Sequence, residues 1–162
     1  MILDFESPRL LLPVDSIFLV LLSRLAARCY ELMLQRSLER EAFGKPLFQH
    51  GSCQEMIADS VSDLDAARLL TLSCAERMDS VGVKHARDKI ASIKAAVPEY
   101  TYRVVDRAVQ LFGGAGVSDD FILARCLVGL RTLRIADGPD AVHKRTVARL
   151  EIKKALSVQS RL

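Results

Sequence analysis

At 162 residues, half of them apolar or aromatic, the chain is long enough for one domain burying about two-thirds of its unfolded surface, so neither a metal nor disulfide staples are needed for a core. Trp is absent and aromatics make up 6%, which points to a core of Leu, Ile, Val and Ala suited to close helix packing. The net charge of +3 hides 8 Lys/Arg against 12 Asp/Glu in residues 1–80 and 15 against 8 in residues 81–162, a tilt that can steer an anionic ligand. No run of four adjacent basic residues, no finger and no basic-zipper pattern accompanies it, which sets nucleic acid aside as a partner.

Residues 1–14 (MILDFESPRLLLPV) hold two prolines and no stable period, and read as an extended lead-in or trimmed linker. Asp15 or Ser16 is expected to cap a first helix running to about Arg40, with Ile17, Phe18, Leu21, Leu22, Leu25, Cys29, Leu32 and Met33 recurring at three- and four-residue spacing. The apolar run Ile17–Leu22 is too short for a transmembrane span, which needs about 20 residues, and it follows acidic residues instead of a basic leader.

Gly44 and Pro46 break that helix, and a second is expected from after Gly51-Ser52 to about Ser80. Its inner side is read as Met56, Ile57, Val61, Leu64, Ala67, Arg68, Thr71, Cys74 and Ala75, with Asp59, Asp63 and Glu76 opposite. A third spans about Lys84–Phe112 with Ile90, Ile93, Val97, Val104, Ala108 and Leu111 inward, kinked or broken near Pro98. A shorter fourth follows at about Asp119–Gly129, capped by Ser118 or Asp119. The last runs from about Pro139 to Ala155, with Val142, Val147, Leu150 and Ile152 inward. No stretch alternates with period two for long enough to make a sheet. The expectation is an all-α, up-down four-helix bundle over residues 15–157, with 158–162 as a tail. Cys29, Cys53, Cys74 and Cys126 are too dispersed for a zinc site or disulfide framework and read as buried thiols; His50, His85 and His143 are also too far apart for zinc.

Three segments admit chemistry. In Arg40-Glu41-Ala42-Phe43-Gly44-Lys45-Pro46, Arg40 either completes a helix dipole or contacts a phosphate, with Phe43 as an apolar plug beneath it. In Gln110-Leu111-Phe112-Gly113-Gly114-Ala115-Gly116, three glycines in four residues bring backbone N–H groups close to a pyrophosphate or a packed neighbour, or simply turn the chain. The segment is neither a dinucleotide fingerprint nor a P-loop. In Arg134–His143, Asp137 and Asp140 are either helix caps or, for Asp137, a general base in a partly apolar site. No Ser or Cys elbow supports hydrolytic triad chemistry.

In their order and spacing these segments resemble the C-terminal helical domain of the acyl-CoA dehydrogenase family across about residues 24–156. The resemblance rests on RxxFGKPL (Arg40–Leu47), LDAARLL (Leu64–Leu70), QLFGGAGVSDD (Gln110–Asp120) and RxxRIADGPD (Arg131–Asp140) leading into VHKRTVARLE (Val142–Glu151). The ADGPDxVH form is similar to the branch in which aspartate replaces the catalytic glutamate, with long or branched acyl chains among the substrates.

The resemblance implies FAD as cofactor, an acyl-CoA substrate and α,β-dehydrogenation as in fatty acid β-oxidation. It places the catalytic base on Asp137 and a substrate contact on Gly138. FAD contacts fall on Arg40, Phe43, Gln110, Gly113 and Gly114, with an adjacent subunit reaching across to the flavin. A dimer or tetramer through the bundle, electron-transfer flavoprotein as acceptor, and a mitochondrial or peroxisomal parent protein, or a cytoplasmic one in bacteria, are further implications. Pro139-Asp140-Ala141 departs from the family's Thr-Ser-Gln, and Gln49 stands one place before the expected glutamine, beside His50. The family's N-terminal helical and middle β-domains have no counterpart in these 162 residues. The expectation is therefore a bundle supplying the base and part of the FAD site, weakly active or inactive alone. The alternative is a non-catalytic helical oligomerisation module derived from the family.

Overall fold

The computed structural model describes the backbone of residues 13–160 and the side chains of residues 21–160. Five α-helices follow in order: α1 Pro13–Glu39, α2 Gly51–Val81, α3 Arg87–Phe112, α4 Leu123–Leu133 and α5 Asp140–Gln159. Between α1 and α2 lies a small antiparallel hairpin, β1 Glu41–Ala42 and β2 Lys45–Pro46. Side-chain contacts fix the helix directions. Asp63 of α2 meets Arg103 and Ser60 meets Arg107 of α3, an antiparallel register. Lys154 and Lys144 of α5 meet Asp88 and Glu99 of α3, again antiparallel. Arg36 lies over the Phe112 ring, so α1 and α3 end together and run parallel. The result is the up-down-up-down bundle expected from the sequence, with α4 as a short fifth helix against α3.

The core follows helical stripes. On α1, Leu22, Ala26, Cys29, Met33 and Ser37 are buried at spacings of three and four, and the small Ala26 and Cys29 let α3 approach closely. Ile90, Ile93, Val97, Val104 and Ala108 of α3 are buried as the periodicity predicts. Each such Ile or Val contributes about 1.5–3 kcal/mol by leaving water. Because α1, α2, α4 and α5 all pack on α3, its buried arc also includes Ala91, Lys94, Ala95, Pro98 and Thr101. All four cysteines are buried and free, and burial together with the neighbouring Cys126 pushes the Cys29 thiol up to about 12.

Several expectations are corrected. Helix α1 already includes Pro13, so Asp15 and Ser16, expected as its cap, lie within the helix. The side chains of Ile17 and Phe18 lie outside the described residues, as does the lead-in over residues 1–12. Leu21 is exposed, because the seam passes through Leu22 and Ala26. Helix α3 continues through Pro98 without a break. Asp63, assigned to the outer side of α2, is buried because α3 presents two arginines to it, while Val61, Arg68 and Ala75 are exposed.

Helix α4 starts four residues later than expected. The Ser118 hydroxyl donates to the Ala115 carbonyl at 2.9 Å and accepts from the Asp120 amide at 3.3 Å, closing a local turn instead of capping a helix. On α5, Val142 and Ile152 face outward, His143 is the buried residue, and the helix runs on to Gln159 beyond the expected end.

Candidate functional site

The loop between α4 and α5 carries Asp137 in the left-handed region, with φ 55°, followed by Gly138 at φ 100°. Aspartate tolerates this backbone better than most residues, yet the conformation persists only because its surroundings hold it. From α5, the His143 imidazole lies 3.2 Å from the Asp137 carbonyl; since a carbonyl only accepts, Nε2 carries the proton and donates. A Cβ on residue 138 would sit 3.2 Å from that imidazole, so both the left-handed backbone and the close ring favour glycine there. From α3, the buried Lys94 ammonium reaches Asp137 Oδ2 at 3.6 Å.

The two carboxylates of this segment divide their tasks. Asp140 opens α5 and accepts from Arg134 Nε at 2.7 Å and Nη2 at 2.6 Å; it makes no side-chain cap. Arg134 also faces Glu99 of α3 at 3.8 Å, tying α4, α3 and α5 together beneath the loop. Asp140 is thus committed to an ion pair, whereas the Asp137 side chain is 59% exposed. Asp137, with one oxygen toward Lys94, is the carboxylate of the two that solvent reaches.

At the other end of the bundle lie the last turns of α1 and α3. Arg40 follows α1 and is exposed. The hairpin turn after it holds Phe43 at φ 51° and Gly44 at φ 77°, both positive as a two-residue type I′ turn requires. Phe43 is 97% exposed, so it is not the plug beneath Arg40 that the sequence suggested; a two-residue loop leaves its ring no interior to enter. It meets the His50 ring edge-on at 6.2 Å. His50 Nε2 donates to the Ala42 carbonyl at 3.0 Å, pinning the hairpin to the start of α2, and the Gln49 carbonyl accepts from Lys45.

The three clustered glycines differ. Gly116 is buried against α3, where a Cβ would meet the Val109 carbonyl at 2.6 Å, so it serves packing. Gly113 and Gly114 face open space, beside an exposed Gln110. Nearby, Arg36 stacks on Phe112 and lines a small cavity of about 80 Å³, and its Nε is buried without a hydrogen-bond partner.

The candidate residues therefore form two patches. Arg40, Phe43, Gln110, Gly113 and Gly114 occupy one end, and Asp137 with Gly138 lies well away. Lys94, which touches Asp137, and Gln110 are sixteen residues apart on α3, about 24 Å along its axis.

Residues 18–151 match the acyl-CoA dehydrogenase C-terminal domain family. The chain belongs to the acyl-CoA dehydrogenase family. Acyl-CoA dehydrogenase family member 11 of Rattus norvegicus is 45% identical over 129 residues, covering 80% of this chain and 17% of that protein. A solved structure from Mycobacterium abscessus, described as an acyl-CoA dehydrogenase, is 43% identical at a TM-score of 0.83, covering 85% of this chain and 34% of the other. PigA, solved with FAD and proline, is 28% identical at a TM-score of 0.78, covering 84% and 35% respectively. The chain thus spans about a sixth to a third of the proteins it resembles.

Sequence patterning missed two partners in this acyl-CoA dehydrogenase domain. Lys94 is a charged residue inside the apolar stripe Ile90, Ile93, Val97, and that placement was its signal. His143 reads from the sequence only as a dispersed metal-ligand or triad candidate. Burial holds its imidazole below the ordinary 6.5, and Lys94 pushes the same way, while the Asp137 and Gly138 carbonyls oppose. A folded state that binds this proton less tightly than the unfolded chain keeps its stability above pH 6.5 and loses it as pH falls below that value. His143→Gln is expected to flatten the decline in urea midpoint between about pH 6.5 and 5. A decline of unchanged size in the variant would refute the assignment.

Proposed function

We propose that the chain supplies the catalytic base and part of the nucleotide cradle of an FAD-dependent acyl-CoA dehydrogenase. The observation that carries this reading is the division of labour at the α4–α5 loop. Asp140 is neutralised by Arg134, while Asp137 presents an accessible carboxylate whose backbone is held by His143 of α5 and whose Oδ2 faces Lys94 of α3. Asp137 takes the α-proton of an acyl-CoA thioester, and the backbone of Gly138 stands beside it as a substrate contact. When bound, FAD accepts the β-hydride, so that the acyl chain leaves as a 2-enoyl thioester. The aspartate is one methylene shorter than the glutamate usual in the family, and it stands on a left-handed backbone at residue 137.

The other patch suits the phosphate-bearing part of the cofactor. Gly113 and Gly114 offer backbone without side-chain obstruction, Arg40 an exposed cation, and Arg36 a buried N–H still lacking an acceptor. The roughly 24 Å along α3 between this patch and the base suits a cradle that serves the flavin of an adjacent subunit. Exposed Val61, Leu69 and Leu72 on α2 provide apolar surface for such an assembly. Electron-transfer flavoprotein as acceptor, long or branched acyl chains as substrates, and a mitochondrial or peroxisomal setting remain part of this proposal. Among the described residues no helix is long and apolar enough to cross a membrane.

The decisive experiment joins this domain to the family's N-terminal and middle domains and follows anaerobic reduction of the flavin-loaded protein by an acyl-CoA, through loss of the oxidised flavin absorbance, in wild type and Asp137→Asn. Retention of the wild-type rate in the variant removes Asp137 from the role. The hairpin gives a separate test. Phe43 carries a left-handed backbone cost with only an edge contact to His50 in return, so Phe43→Asn, which gives the Asn-Gly pair favoured in type I′ turns, should stabilise the fold by about 0.5–1 kcal/mol. The same change should weaken FAD binding severalfold. Calorimetric unfolding together with FAD titration checks both signs, and unchanged affinity would take Phe43 out of the cofactor site.

A further inference from the structure

We propose that Lys94 is a positioning residue for the base: its buried ammonium holds Asp137 Oδ2 from inside the bundle and leaves the other carboxylate oxygen to accept the proton. The inference rests on the reading of Asp137 as base, and adds a residue that neither the motif nor the family match assigns. Lys94 stands on the inward arc of α3 among Ile90, Ile93 and Val97, and its side chain is only 7% exposed. Burying an ammonium is costly unless it is paired, and the Asp137 carboxylate lies 3.6 Å from this one.

The neighbouring acids are engaged elsewhere. Asp140 is taken by Arg134 at 2.6 Å, and Glu99 faces Arg103, Arg134 and Lys144.

A carboxylate serving only to neutralise a buried lysine would itself be buried. Asp137 is instead 59% exposed and sits on a left-handed backbone. The two holds are complementary. Lys94 of α3 fixes the side chain, and His143 of α5 fixes the backbone through the Asp137 carbonyl at 3.2 Å. With its Oδ2 held, a short aspartate loses most of its χ1 freedom, which is the ordering a base needs before the substrate arrives.

The test uses the chain itself, isotopically labelled and without flavin, and reads the three-bond couplings that report χ1 of Asp137. Wild type should show one rotamer, and Lys94→Met, which keeps the apolar stem and removes the cation, should show rotamer averaging with the remaining amide spectrum unchanged. An averaged wild type, or a single rotamer persisting in Lys94→Met, overturns the proposal. Should Lys94→Met fail to fold, Asp137→Asn provides the second reading. The slowly exchanging Lys94 ammonium signal should move in that variant and not in the remote Asp119→Asn; a signal unmoved by Asp137→Asn overturns the proposal. Because no flavin is present, this outcome is independent of the flavin-reduction assay that tests Asp137 as base.

Discussion

Asp137→Asn is expected to slow flavin reduction by an acyl-CoA about 1,000-fold in a protein that still folds, within the roughly 100- to 10,000-fold that a positioned general base supplies. Asparagine keeps the shape of the side chain and its oxygen toward Lys94, but it has no basic oxygen to take the α-proton. The fold should survive because asparagine keeps an oxygen toward Lys94 and its own position is 59% exposed, although the buried ammonium loses its anionic partner and stability should fall by up to about 3 kcal/mol. Substrate binding should change little, since the carboxylate acts on a proton that leaves only in the transition state. Stopped-flow traces of the first reduction separate the two effects. A rate within about tenfold of wild type would mean that another group takes the proton.

How much of this was legible in the sequence depends on how local the governing physics is. The long helices were readable because stripes such as Ile90, Ile93, Val97 and Val104 repeat with the helical period and are buried as that period demands. The ends were less so. Ser118 is as good a cap by composition as by position, yet its hydroxyl closes a turn with Ala115 and Asp120, and α4 begins only at Leu123. The hairpin at Glu41–Pro46 has strands of two residues each, too short for any alternation, and it exists because Phe43 and Gly44 both adopt positive φ.

The candidate site shows the same division. Arg134–Asp140 stood out by motif, but composition left its two carboxylates indistinguishable. Their separate tasks depend on Arg134 and Lys94, which approach from other helices. Likewise the glycine turn separates into a packing glycine, Gly116, and an open pair, Gly113 and Gly114, only once α3 lies beside it. Asp63 is the clearest case. An acid on a long helix is ordinarily read as solvent-facing, and nothing within α2 announces that two arginines forty and forty-four residues downstream meet it.

That cluster carries the largest expected effect on stability. Asp63→Ala should cost about 3 kcal/mol, near the low end for removing one partner of a buried ion pair. The carboxylate accepts from Arg103 Nε at 3.2 Å and from Arg107 Nη1 at 2.8 Å, with its side chain only 11% exposed. Removing it leaves two guanidinium groups converging on an apolar seam. The cost is moderated because Arg103 is 42% exposed and can turn to water or to Glu99, while Arg107 retains Asp59 at 3.7 Å. For a domain of this size the loss corresponds to a fall of about 6–12 °C in Tm. Denaturant unfolding of Asp63→Ala, Arg103→Ala and the double variant checks the account: the double should lose less than the sum of the singles. Strict additivity would show that the two groups do not act as a pair. Since Asp63 ties α2 to α3 and touches neither Asp137 nor the glycine turn, flavin reduction below the melting temperature should be unchanged by it, which separates the residue that holds the bundle from the one that serves the chemistry.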